Sequence, residues 1–227
     1  MKITLLIWLT LFSKIVYGQM ESNIAIVHKQ QKYYLTKTCY DIIKWDEVII
    51  KNQKVCDKIN SIIRNNVNSY KLPKSYALLV CYKTNDFSQM ATFKVVYTKH
   101  NLLSYFLHSD IYYKGILHDL HQFNTLNFNL KTGEQVSFND LFDSTKLSNV
   151  DSLIMRKITS ERRFDGADSI DLKHNLEDKK FNIKDDGIEI LYWYGSYPID
   201  LFLTFNELKP FVNRKALLKT FYAKQSK

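Results

Sequence analysis

The sequence predicts an α+β fold with mainly antiparallel sheet, two principal helices and a short C-terminal helix. Three observations predict it. Strand-like segments arrive in runs, helical periodicity falls between the runs and not after every strand, and Thr-Gly and Asp-Gly turns punctuate the later runs. With 227 residues the chain makes one large domain or two small ones. Its 45% hydrophobic and 14% aromatic content excludes disorder, and its 6 Gly and 3 Pro exclude collagen-like or linker-rich architectures.

The elements follow in chain order. Met1-Lys2, an apolar run from Ile3 to Phe12 and Val16-Tyr17-Gly18 have the layout of a secretory signal peptide cut before Gln19. The run is about half the roughly 20 residues a membrane span needs, so the mature chain is expected to be secreted or periplasmic and not an integral membrane protein. Residues 24–38 are rich in β-branched and aromatic side chains and read as a strand. Over residues 46–67 the period becomes helical: Val48, Val55, Ile59, Ile62 and Val67 form a stripe flanked by Ile49, Cys56 and Ile63. Pro73 closes this segment, because the residue before a proline is pushed out of the helical region.

Residues 76–82, 90–98 and 102–113 read as three strands. Leu126, Phe128 and Leu130 then alternate with Asn127, Asn129 and Lys131, which predicts a strand with one face in the core and the other in water. Gly133 supplies a turn and Val136 and Phe138 resume the strand. Leu147, Val150, Leu153, Ile154 and Ile158 mark the second helix. Residues 162–180 are polar and read as a surface excursion. Residues 181–184 and 188–194 flank the turn Asp185-Asp186-Gly187 as a hairpin, and Ile199, Leu201, Leu203 and Phe205 alternate as a last strand. Asn206 and Leu208 begin a short turn, and residues 214–222 can form the terminal helix.

Chemistry-bearing residues are sparse. The three cysteines, Cys39, Cys56 and Cys81, allow three single disulfides; Cys39–Cys56 would close a short loop, and three buried thiols are the alternative. His118 and His121 sit three apart with Asp119 between them, but a zinc site needs a third ligand and His108 could supply it only if the fold brings it near. No metal and no cofactor is therefore expected. No nucleophile elbow, phosphate-binding loop or dinucleotide fingerprint is present, so no catalytic residue is assigned. In the aromatic group Tyr192-Trp193-Tyr194, strand alternation puts Trp193 opposite its neighbours, making it the candidate for an exposed ring that stacks on sugar.

The formal charge is +9, falling to +7 when Lys2 and Lys14 leave with the signal. Only five of the 32 basic residues are Arg, whose planar fork reads base edges, and export removes the chain from nucleic acid. No nucleic-acid partner is expected. Lysines on an exported surface suit an anionic envelope.

Short motifs carry a family resemblance. These are Gly115-Ile116-Leu117-His118, the strand at 126–130, Lys131-Thr132-Gly133, Asp140-Leu141-Phe142, Phe181-Asn182-Ile183, Asp186-Gly187, Phe202-Leu203-Thr204-Phe205 and Glu207-Leu208-Lys209-Pro210-Phe211. Through them residues 101–227 resemble the bacterial extracytoplasmic DUF3298 domain. Residues 19–100, with Lys58-Ile59-Asn60 in the first helix, resemble its companion DUF4163. Many members carry a Gly-Gly-Ala-His run where this chain keeps only Gly115 and His118.

The resemblance is to proteins that include a lysozyme-sensing anti-sigma factor domain and the non-catalytic N-terminal region of a peptidoglycan deacetylase. It implies an exported, non-catalytic binding or sensor-type domain recognising a cell-envelope glycan or an envelope protein such as a lysozyme. Gly115 and His118, which carry the family motif, together with His121 and Trp193 from their spacing and strand alternation, are the ligand-binding candidates. A net charge of +7 slows encounter with a basic lysozyme and favours anionic glycans. Two alternatives stand beside it: an exported hydrolase built around His118, Asp119 and His121, and a structural envelope protein.

Overall fold

The structure is a computed structural model that describes residues 14–16, 24–34, 36–71, 79–83, 86–116, 119–160, 179–194 and 197–212, without the side chains of 14–16, 192–194 and 197–199. The chain forms two compact units. One comprises Met1–Val95 with Phe106–Asn124, the other Val96–Tyr105 with Thr125–Lys227. The α+β class holds: the described residues form a six-stranded sheet, a three-stranded sheet and several helices.

In the first unit, β1 (Lys14–Val16), β2 (Ile24–Tyr34) and β3 (Cys39–Ile50) run antiparallel. Helix α1 (Gln53–Ser69) carries the chain to β4 (Phe87–Tyr97), which lies parallel to β3 from Cys39↔Phe87 to Trp45↔Phe93. A parallel neighbour demands such a long crossover. β5 (Leu102–Tyr113) and β6 (Leu120–Asn129), each divided between the two units, complete the order β1-β2-β3-β4-β5-β6. A turn with His100 and Asn101 at positive φ joins β4 to β5.

The helical stripe predicted over 46–67 begins too early. Val48 and Ile49 belong to β3, and the helix starts only after Asn52, whose side chain accepts from the Val55 N–H. Val48 and Ile50 share with Asp46 the period-2 burial of a strand. Two buried side chains explain how β3 continues once its ladder with β4 ends at Trp45. Asp46 Oδ2 accepts from the Val95 N–H at 2.8 Å. The Asn60 amide on α1 accepts from Val48 N at 3.0 Å and donates to Val48 O at 2.8 Å, pairing with that residue as a strand would. A buried backbone group without such a partner would cost about 1–3 kcal/mol.

Residues 79–83, expected within a strand over 76–82, are helical; 76–78 lie outside the described residues. The segment is a short unbroken apolar run, and periodicity alone does not separate helix from strand there. Cys81 in this helical turn is bonded to Cys39, while Cys56 is a buried free thiol. The Cys39–Cys56 pairing is excluded by reach. Cys56 donates its S–H to Val48 O at 3.2 Å, and Val48 lies nine residues, roughly 30 Å, along β3 from Cys39. Cys39, Cys81 and Phe87 form a buried cluster with Val80, Ile111 and Tyr113 against it.

In the second unit, β7 (Lys180–Ile183), β8 (Gly187–Tyr194) and β9 (Tyr197–Thr204) form an antiparallel sheet, with the hairpin register Ile183↔Ile188 as the Asp-Gly turn predicts. Helix α2 (Leu147–Ser160) buries Val150, Leu153, Ile154 and Ile158 in one core with Phe181, Ile188, Ile190, Leu201 and Leu203. Helix α3 (Phe205–Leu208) starts with a capping box: Thr204 accepts from the Glu207 N–H and the Glu207 carboxylate accepts from the Thr204 N–H. Lys157 bonds that same carboxylate at 2.9 Å. The predicted terminal helix at 214–222 lies outside the described residues.

Two expectations for this unit are corrected. Val136 and Phe138 do not resume a strand: a single bridge, Phe128↔Gln135, is followed by a turn in which Asp140 accepts from the Ser137 N–H, and a 3-10 helix at Asn139–Leu141. Asn127, expected to face water, is buried. Its Nδ2 donates to Phe181 O at 2.8 Å, Ser104 Oγ on β5 accepts from Ile183 N at 3.0 Å, and Thr125 Oγ1 accepts from Phe181 N at 3.0 Å. Asn127 and Ser104 are also hydrogen-bonded to each other. Ser104, Thr125 and Asn127, all in this second unit, thereby satisfy the outer edge of β7, which has no strand neighbour among the described residues.

Candidate functional site

The chemistry-bearing side chains of the first unit gather on β5 and β6. Along β5, Tyr105, Leu107 and Ser109 are buried, so the alternate residues Phe106, His108 and Asp110 point to the opposite, partly exposed face. β6 is the neighbouring strand and brings His121 to that face.

Asp110 is the hub. Its Oδ1 lies 2.5 Å from His121 Nδ1 and 3.2 Å from His108 Nε2. The two imidazoles are nearly parallel, at 11° with centroids 6.1 Å apart, and the Phe106 ring lies nearly parallel to His108 with centroids 6.2 Å apart. The side chains of His108, Asp110 and His121 are 43%, 35% and 41% exposed, so the carboxylate and both rings are open to solvent. The ligand atoms of the three lie within 4.8 Å of one another, and among the described residues they are the one His/Cys/Asp/Glu group so placed.

The residues singled out from sequence are not all brought together here. His121 is in the cluster. Gly115 lies in the turn after β5, where Ile116 N donates to Tyr113 O at 3.2 Å. Its φ is +107°, and a Cβ there would meet nothing within 4 Å, so backbone conformation and not a close approach requires the glycine. His118 lies outside the described residues. Trp193 is in β8, opposite Pro198 in the ladder, and its side chain is outside the described part. Asp119 is exposed beside β6.

His108 and Asp110 are the partners that sequence reasoning did not assemble. One signal was available: a His-x-Asp spacing within a strand puts both on one face. The cross-strand position of His121 was not available without the pairing of β5 and β6.

Other charged groups near β3 are structural. Arg64 on α1 forms a two-pronged ion pair with Glu47 at 2.8 and 3.0 Å, and its hydrogen bond holds the carboxyl below the usual range. His28 is hydrogen-bonded to Asp46. Asp41 on β3 differs in kind: burial pushes its carboxyl up to about 6, with Lys71 drawing it back down.

No protein-family model matches the chain, and no curated protein matches it. Solved structures do. A DUF3298 family member from Bacteroides fragilis superposes with a TM-score of 0.59 at 12% identity, covering 95% of this chain and 98% of that one. A DUF3298 family protein from Pseudomonas aeruginosa gives a TM-score of 0.54 at 11% identity, covering 91% and 95%. At these identities the likeness is one of fold: over nearly its whole described length the chain has the fold of DUF3298 family proteins.

Proposed function

We propose that the chain is an exported, non-catalytic binding domain that recognises a cell-envelope polymer or an envelope-acting enzyme such as a lysozyme. The observation that carries this reading is the fold, which is similar to that of DUF3298 proteins along 95% of the chain. The Cys39–Cys81 disulfide supports export, because such bonds persist in oxidising compartments. The lysine-rich charge supports an anionic glycan as ligand. The division at about residue 100 into DUF4163-like and DUF3298-like parts, and the roles of Gly115, His118, His121 and Trp193 in ligand binding, belong to the same proposal.

Cleavage before Gln19 would remove β1 and leave β2 as the edge of the sheet, with a free row of backbone groups. The test is retention of the purified, exported chain on peptidoglycan and on immobilised lysozyme, with its N-terminus read by mass spectrometry. The expected result is a chain beginning at Gln19 that is retained by peptidoglycan and released by salt. Retention by neither material overturns the binding role, and an uncleaved cytoplasmic product overturns export.

A further inference from the structure

We propose that His108, Asp110 and His121 form a binding site for one borderline divalent transition-metal ion, Zn2+ being the ion it fits. The site stands on its own geometry and does not rest on the proposed binding role.

Two imidazoles and one carboxylate are a ligand set for such ions, whereas Mg2+ and Ca2+ favour oxygen alone. The backbone places the three where a small ion can be shared. His108 and Asp110 are two residues apart on one strand and so project from the same face, and His121 approaches from the adjacent strand. Nitrogen and oxygen ligands sit about 2.0–2.2 Å from zinc, which puts tetrahedral ligand atoms about 3.4 Å apart. The His108 Nε2 to Asp110 Oδ1 separation of 3.2 Å already matches. His121 Nδ1, at 2.5 Å from the same oxygen, needs to withdraw by about 1 Å, which a small side-chain rotation supplies.

The three residues are half exposed, so an ion can enter and their substitution leaves the core untouched. Phe106 stacked on His108 limits the swing of that ring. Three protein ligands leave a coordination position open to water or to a further molecule. Both imidazoles bind the ion in their neutral form.

The test is calorimetric titration of the chelator-treated full chain with Zn2+, with Co2+ absorption as a second readout of the ligand set. The expected result is one ion per chain, with His108→Ala, His121→Ala and Asp110→Asn each weakening binding by about tenfold or more. His28→Ala, whose ring pairs with Asp46 instead, leaves binding unchanged. Circular dichroism of each variant separates lost ligands from lost fold. Absence of saturable binding, or stoichiometric binding with an unchanged Co2+ spectrum in folded His121→Ala, overturns the site.

Discussion

Replacing Asp41 with Asn should stabilise the protein at neutral pH and leave it almost unchanged in acid. Asp41 is 7% exposed, and its Oδ1 has no hydrogen-bond partner. Its neighbour in the parallel ladder is Gln89, 1% exposed, whose Nε2 donates to Tyr70 O at 2.8 Å while its Oε1 is also unpartnered. Two unpaired acceptors therefore occupy adjacent ladder positions, and a carboxylate offers no donor to relieve either. Burial raises the Asp41 carboxyl from 3.8 to about 6, Lys71 opposing the shift.

The sign follows from proton linkage. In acid both folded and unfolded chains hold the proton, and ionisation costs nothing. As pH rises from about 4 to about 6 the unfolded chain releases its proton while the folded chain retains it, so stability falls; above about 6 the loss is constant. A shift of about two units corresponds to about 3 kcal/mol at pH 7.5, and to about 0.5 kcal/mol at pH 4. Asn is neutral throughout and carries the donor that a carboxylate lacks. Urea unfolding of both proteins at the two pH values, with equal slopes, measures the difference. A gain of about 3 kcal/mol at pH 7.5 that shrinks to about 0.5 kcal/mol at pH 4 is expected. An equal difference at both values, or a less stable Asn variant at pH 7.5, would refute the reasoning.

Other perturbations test the frame around the site. The Cys39–Cys81 bond spans 42 residues, so Cys39→Ser should cost about 4 kcal/mol in urea unfolding, and reductant should then have no further effect. Gly187→Ala places a Cβ 2.2 Å from Leu203 O and 2.6 Å from Phe202 Cζ, which forces β8 and β9 apart and should cost about 2–3 kcal/mol. Gly115→Ala, at φ 107°, meets no atom within 4 Å and so carries only the positive-φ backbone penalty of about 1–2 kcal/mol, and the order of melting temperatures should be wild type, Gly115→Ala, Gly187→Ala.

Much of the fold was legible from local pattern. The second helix, the strand at 126–130, the hairpin around Gly187 and the turn at Gly133 are where spacing puts them, because each is fixed by residues close in sequence. The errors share one cause. Val48 and Ile49 fit a helical stripe as well as a strand, and residues 76–82 fit either; only their neighbours in space separate the readings. Asn127 looked solvent-facing because polar residues alternate with apolar ones there. Its face is instead covered by β7, more than fifty residues further on, whose backbone needs the donor that Asn127 brings.

The candidate site divides the same way. From sequence came the fold class, the absence of a recognised catalytic motif, and His121 as a residue of interest. Tertiary structure decided that Cys39 reaches Cys81, that Gly115 serves a turn, and that Asp110 lies between His108 and His121. Local spacing specifies which residues share a face of one strand, since that depends on a period of two. Which residues meet across two strands depends on register, and register is set by the packing of the whole sheet.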